Sequence, residues 1–276
     1  DKHNLRSVAV ANLKVGDALM DVNDFAGALP PYEKSSEGFF RLAPTAQNDA
    51  AAVRLLGLSY ARIALAYSGL QQYEKAVEFN LKAIAQQKQV AAADPNNVQC
   101  HFDLGATYAN LSDNYLHLKK LDNAVASVRE AIRISSETLS RNPDYLQGQA
   151  SLGITYQTYA EILLAKRDAN GTLENYRKAL GLLEREPVRN AQTTALAKTY
   201  AGLGNVDLLR ASQVKGDARQ MGILKDAQDW YQKSLDIWHG LDQQGKVAGE
   251  DKKHLSEIAQ KIEQCRAALT KLKAGP

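Results

Sequence analysis

Apolar side chains recur along this chain at steps of three and four residues, as in Tyr60, Ile63, Tyr67 and Leu70. That is the stripe of an amphipathic helix, not the alternation of a strand. Such stripes follow one another along the chain, cut by turn-forming pieces such as Asp94-Pro95-Asn96 and Asn142-Pro143-Asp144. Proline cannot continue a helix and pushes the residue before it out of helical geometry. The pattern predicts an all-helical protein.

The stripes also repeat. Ala28, Ala76, Ala124 and Thr172 fall 48 residues apart, as do Ser35, Ala83, Ala131 and Ala179, and again Tyr60, Tyr108 and Tyr156. A period this strict means stacked copies of one small unit, each too small to bury its own apolar face and therefore buried by its neighbours. Aligning the copies gives five helix–turn–helix units in a single repeat domain spanning 1–276, at about 5–44, 45–95, 96–143, 144–187 and 188–249. A last helix over about 250–273 carries Leu255, Ile258, Ile262, Cys265, Leu269 and Leu272 on one side and charge on the other, as a capping helix requires. Four residues after each first-helix tyrosine stands a small residue (Ala64, Ser112, Ala160, Gly204, with Gly16 in the first copy), which lets a partner helix approach closely.

Regularity stops at Pro187. Tyr156 to Tyr200 is 44 residues, and Thr172 to Ala227 is 55. The surplus predicts a loop over Ala211–Met221 containing Lys215-Gly216-Asp217, with the second helix of that copy opening at Asp226-Ala227.

The order aromatic, apolar, small, then small, aromatic, small and a closing proline resembles the tetratricopeptide repeat, ordinarily 34 residues long. The additional length divides into seven residues before Tyr60 and its equivalents and seven before Pro95 and Pro143. Seven residues are about two helical turns, so each helix lengthens without rotating its apolar face. The resemblance implies an all-α, right-handed α-solenoid that recognises a protein or peptide in a concave groove without catalysis. A narrower set, Asp229-Trp230-Tyr231-Gln232-Lys233-Ser234-Leu235-Asp236-Ile237-Trp238, then Glu257-Ile258-Ala259 and Cys265, resembles the carboxy-terminal repeats attached to certain bacterial serine/threonine protein kinases. It implies an architectural or sensor module beside a catalytic domain as the alternative role. The kinase glycine-rich loop and His-Arg-Asp segment are absent from this sequence.

Composition narrows the function classes. A net charge of +3, with lysines interleaved among acids, lacks the clustered basic face of a nucleic-acid binder. Cys100 and Cys265 have no CxxC partner, and His3, His101, His117, His239 and His254 form no HExxH or i, i+4 pair, so no metal or cofactor is expected. Gly202-x-Gly204 follows no strand and reads as helix rather than phosphate loop, and no nucleophile elbow is present, so no catalytic residues are assigned. No run approaches the ~20 apolar residues of a membrane span. The chain opens on Asp1 rather than Met and is read as a piece of something longer, in a cytoplasmic or periplasmic compartment.

In the family it resembles, the first helices line the groove. By register the groove positions are Asp17, Leu65, Asp113, Glu161 and Asn205, with Met20, Ser68, Leu116 and Leu164 one turn on. Three of the first five are acidic and none is basic, which suits a basic, partly apolar protein or peptide. The bland alternative is that Asp17, Asp113 and Glu161 pair with nearby lysines or simply hydrate the groove. A homo-oligomer stays open. The tyrosines at 60, 108, 156 and 200 read as interhelix packing rather than a stacking platform for bases.

Overall fold

A computed structural model describes residues 2–43, 50–185, 190–214, 217–247 and 251–274. Among these the regular structure is all helical, with no strand. The chain divides into two compact units, 1–148 and 149–276. Unit 1 holds α1 (Lys2–Asp21), α2 (Phe25–Leu42), α3 (Ala50–Gly69), α4 (Tyr73–Ala93), α5 (Val98–His117) and α6 (Leu121–Arg141). Unit 2 holds most of α7 (Leu146–Ala165), then α8 (Ala169–Leu183), α9 (Asn190–Gln213), α10 (Asp217–Gln243) and α11 (Asp251–Ala274). The repeat boundaries at Pro44, Pro187 and Gly249 and the Lys215-Gly216 pair lie outside the described residues.

Within unit 1 each helix packs on the next, and α3 also touches α1 and α5. The odd-numbered helix of a pair ends in a tight reversal whose turn residue is left-handed: Asn23, Gln71, Lys119 and Arg167, again 48 residues apart. Each reversal closes with the same two bonds. At α3 they are Gln71 N–H to Ser68 O and Gln72 N–H to Tyr67 O, both 2.9 Å. This 6→1, 5→2 pattern satisfies the last carbonyls of the helix, and glycine is its usual occupant. Here glycine stands at none of the four positions. The next helix then starts at once, capped by Asp24 onto Gly27 N–H and by Asp168 onto Gly171 N–H, both 2.9 Å, whereas Gln72 and Lys120 make no side-chain cap.

The small first-helix residues do what their spacing predicts. A Cβ added at Gly16 would fall 2.4 Å from the Tyr32 ring, and one at Gly204 would fall 2.7 Å from the Tyr231 ring. Gly202 sits equally close against Tyr176. Glycine is needed at these sites because an aromatic of the following or preceding helix lies flat on the backbone. Tyr60, Tyr108, Tyr156 and Tyr200 join the apolar clusters of their own units, as interhelix packing requires.

The expected loop over Ala211–Met221 is instead mostly helix. α9 runs to Gln213 and α10 begins at Asp217, so Asp226-Ala227 lie well inside α10 rather than at its start. The physical reason is a partner. Ala211, Ile223 and Leu224 pack with Leu269 of α11, with Val214, Met221 and Leu272 beside them, so the surplus residues gain a core by extending both helices.

Among the described residues α3 alone is long and apolar enough to cross a membrane. Its apolar side chains are used inside unit 1: Leu56 packs with Phe39 and Leu42, and Ile63 with Ala28 and Tyr32. Its two arginines hold acids on neighbouring helices.

Candidate functional site

Eight of the nine predicted groove residues occupy the last turns of α1, α3, α5 and α7, just before the left-handed reversals, whereas Asn205 lies further inside α9, which runs on to Gln213. Met20, Ser68, Leu116 and Leu164 are the residues whose carbonyls accept the 2.9 Å bond from the turn residue, so their backbone is fixed while their side chains stay half-buried. In unit 1 the neighbouring helices α1, α3 and α5 present Asp17 and Met20, Leu65 and Ser68, and Asp113 and Leu116. In unit 2, α7 presents Glu161 and Leu164, and α9 presents Asn205, which is exposed.

The acids are not bare. Asp17 accepts the Tyr32 hydroxyl at 2.8 Å and lies 3.0 Å from Arg62 Nε of α3, an ion pair between adjacent repeats rather than an aligned hydrogen bond. Burial and the Asp17 carboxylate push the Tyr32 hydroxyl well above its ordinary pKa, so it stays a donor. Glu161 accepts Gln157 Nε2 at 3.0 Å, and Asn205 accepts the Tyr231 hydroxyl at 2.8 Å. Asp113 stands 3.8 Å from His117 Nε2, and that imidazole lies parallel to Tyr73 with centroids 4.4 Å apart. The charge of Asp17 is therefore offset by Arg62, an arginine of the next repeat rather than a nearby lysine. An exposed or half-exposed pair of this kind contributes at most about 1 kcal/mol.

Sequence reasoning missed two features of unit 1. Arg54 of α3 grips Asp103 of α5 through Nε at 3.2 Å and Nη2 at 2.9 Å, a second tie between neighbouring repeats. A cleft of about 520 Å³ also opens between α4, α5 and α6, floored by Ala91, Leu104 and Ile134. Its rim charges largely cancel: Arg133 is held by Glu130 at 2.7 Å and Glu137 at 2.9 Å, which lowers the Glu130 pKa. Both features join residues of different repeats, which periodicity within one helix does not reveal.

The other candidate chemistry dissolves into structure. His101 Nε2 lies 3.0 Å from Pro95 O while Cys100 is buried, so the two neighbours serve different surroundings. Both cysteines are free, and burial raises both thiol pKa values. No group of three His, Cys, Asp or Glu among the described residues is placed to hold a metal ion. In unit 2, Trp230 donates Nε1–H to Asp207 at 3.2 Å, and Arg210 holds the same buried carboxylate at 2.7 Å.

A family model described as tetratricopeptide repeat matches residues 58–90 and 106–138, each a helix pair offset by one period. The chain carries tetratricopeptide repeats. These repeats generally form non-catalytic scaffolds that mediate protein interactions. The solved structure of BtubC (BKLC) from P. vanneervenii is 19% identical over 88% of this chain and 84% of that one, with a TM-score of 0.59. The apo form of RapI is 13% identical over 94% and 85%, with a TM-score of 0.56. At these identities the likeness shows the tetratricopeptide fold and nothing of a shared partner. No curated protein sequence matches the chain.

Proposed function

We propose that the protein is a non-enzymatic scaffold that binds a protein or peptide on the faces formed by the ends of its odd-numbered helices. The supporting observation is the row in unit 1. Three adjacent helices present Asp17–Met20, Leu65–Ser68 and Asp113–Leu116 at equivalent turns, half-buried and pinned by identical reversals. A rigid row of alternating carboxylate and apolar side chains suits an extended or helical segment that is partly apolar and carries a few basic residues. Helix C-termini add a negative partial charge at the same level. In unit 2, Glu161 and Leu164 offer the same combination on α7.

The test is calorimetric titration with a pool of basic, amphipathic peptides, before and after Asp113→Lys in unit 1 and Glu161→Lys in unit 2. Charge reversal should weaken the best binder at least tenfold in one of them. Unchanged affinity in both removes the groove reading.

A further inference from the structure

The cleft between α4, α5 and α6 has an apolar floor, and one of its charges is not cancelled. Ala91, Leu104 and Ile134 form a single buried cluster with Ile84 and Leu111, so the floor is the edge of the unit 1 core. Pro95 and Val98 continue the apolar wall toward the start of α5. A volume of about 520 Å³ is that of sites which take small ligands.

The charges sort by position. Arg133 spends its guanidinium on α6 itself: Nε and Nη2 reach Glu130 at 2.9 and 2.7 Å, and Nη1 reaches Glu137 at 2.9 Å. One cation between two carboxylates leaves that triad with one net negative charge. Lys88 of α4 offsets it, drawn to Glu130 while its ammonium lies 5.6 Å from the Tyr108 ring. Arg141 differs. It stands eight residues past Arg133, about 12 Å further along the helix. It lines the same cleft, is exposed, and has no ion pair or hydrogen-bond partner for its side chain among the described residues. The same holds for the Asn96 side chain, which also lines the cleft.

Repeat packing does not demand these charges. One period back, α4 carries Lys82, Ala85, Gln89 and Ala93 at the positions of Glu130, Arg133, Glu137 and Arg141. At the position of Lys88, α2 carries Phe40.

We infer that this cleft binds a small amphiphilic monoanion, a carboxylate on a medium-length alkyl chain. The chain lies over Ala91, Leu104 and Ile134, which removes apolar surface from water on both sides. The carboxylate meets Arg141, whose planar fork of N–H donors matches two carboxylate oxygens. A cationic head group would be repelled there. A second anionic group at the far end would face Glu130 and Glu137, so the ligand carries a single charged end. The site is separate from the groove proposed above. α5 gives Val98, His101 and Leu104 to the cleft from its start, and Asp113 and Leu116 to the groove from its last turns.

Calorimetric titration of the whole chain with decanoate tests this, with decylammonium as the probe of inverted charge. Decanoate should bind saturably at one site per chain, and decylammonium at least tenfold more weakly. Arg141→Glu should weaken decanoate binding at least tenfold. Ala92→Trp sets a large ring on the cleft wall and should abolish it. Both positions are exposed, so each variant should melt with the original chain by circular dichroism. Absence of saturable heat with decanoate would overturn the inference. Equal binding of decylammonium would also overturn it, leaving only apolar adsorption. So would either variant that takes up decanoate as the original chain does.

Discussion

Units 1 and 2 are built from the same repeat, yet they handle length and polarity differently. Unit 1 keeps to the period: its helices run 18 to 21 residues, and every reversal inside a pair is the same left-handed turn. Unit 2 starts in register with the turn at Arg167 and then drifts, with α8 of 15 residues, α9 of 24 and α10 of 27. It also buries a carboxylate, Asp207, at a position where α7 carries Leu163. Both tryptophans of the chain lie in unit 2. The contrast teaches that the period is a consequence of packing between identical neighbours. Where the neighbour is a terminal helix, length follows the available partner instead.

The largest effect should come from the unit 2 core. Trp238, fully buried among Tyr231, Leu241, Ile258, Ile262 and Cys265, links α10 to the last helix. Trp238→Ala should cost about 3–5 kcal/mol. The remaining Trp230 fluorescence should then report unfolding at lower denaturant than circular dichroism of the whole chain. The matched change in unit 1, Phe39→Ala, should instead leave the fluorescence transition close to the wild-type position. Coincident shifts of both probes in both variants would show that the two units unfold as one, and the comparison would fail.

A middling effect is expected at Asp207. Asp207→Ala strands the Trp230 indole and Arg210, costing about 1–3 kcal/mol in denaturant titration. Asp207→Leu should cost less, because Leu163 fills the equivalent position. If Leu proves worse than Ala, the buried acid is not a replaceable departure from the repeat.

The smallest effects sit in the turns. Lys119→Gly in unit 1 and Arg167→Gly in unit 2 should each stabilise by up to about 1 kcal/mol, since a left-handed backbone strains any residue with a Cβ. Gly245, left-handed after α10, should lose about 1 kcal/mol on change to Ala. Thermal melts resolve these signs.

Most of the fold was legible because the signals are local. The step of three and four gave the helices, Pro95 and Pro143 gave their ends, and the glycines at 16 and 204 stood against Tyr32 and Tyr231 as spacing required. The extension of α9 and α10 was misread because Lys215-Gly216-Asp217 looks like a loop. The flanking Leu208, Ala211, Val214, Met221 and Leu224 kept helical spacing, and their partner in α11 lies far away in sequence. For the candidate site, Asp17, Leu65, Asp113 and Glu161 stand on equivalent turns, while Asn205 does not because α9 runs on to Gln213. Register did not reveal Arg62 against Asp17, or Arg54 against Asp103, because those pairs depend on which repeats become neighbours.

The recurring left-handed reversal has a bearing on how such a chain can change length. Gln71 and Lys119 occupy the same backbone state, one period apart, with the same two bonds closing each turn. Joining residue 71 directly to residue 120 would therefore remove one whole cassette and leave α3 entering α6 through an unchanged hinge. Duplication of the same stretch would insert a cassette by the same join. The turns are seams at which removing or adding one 48-residue stretch leaves both closing bonds in place, so the array can be shortened or lengthened in steps of one repeat without altering the hinge.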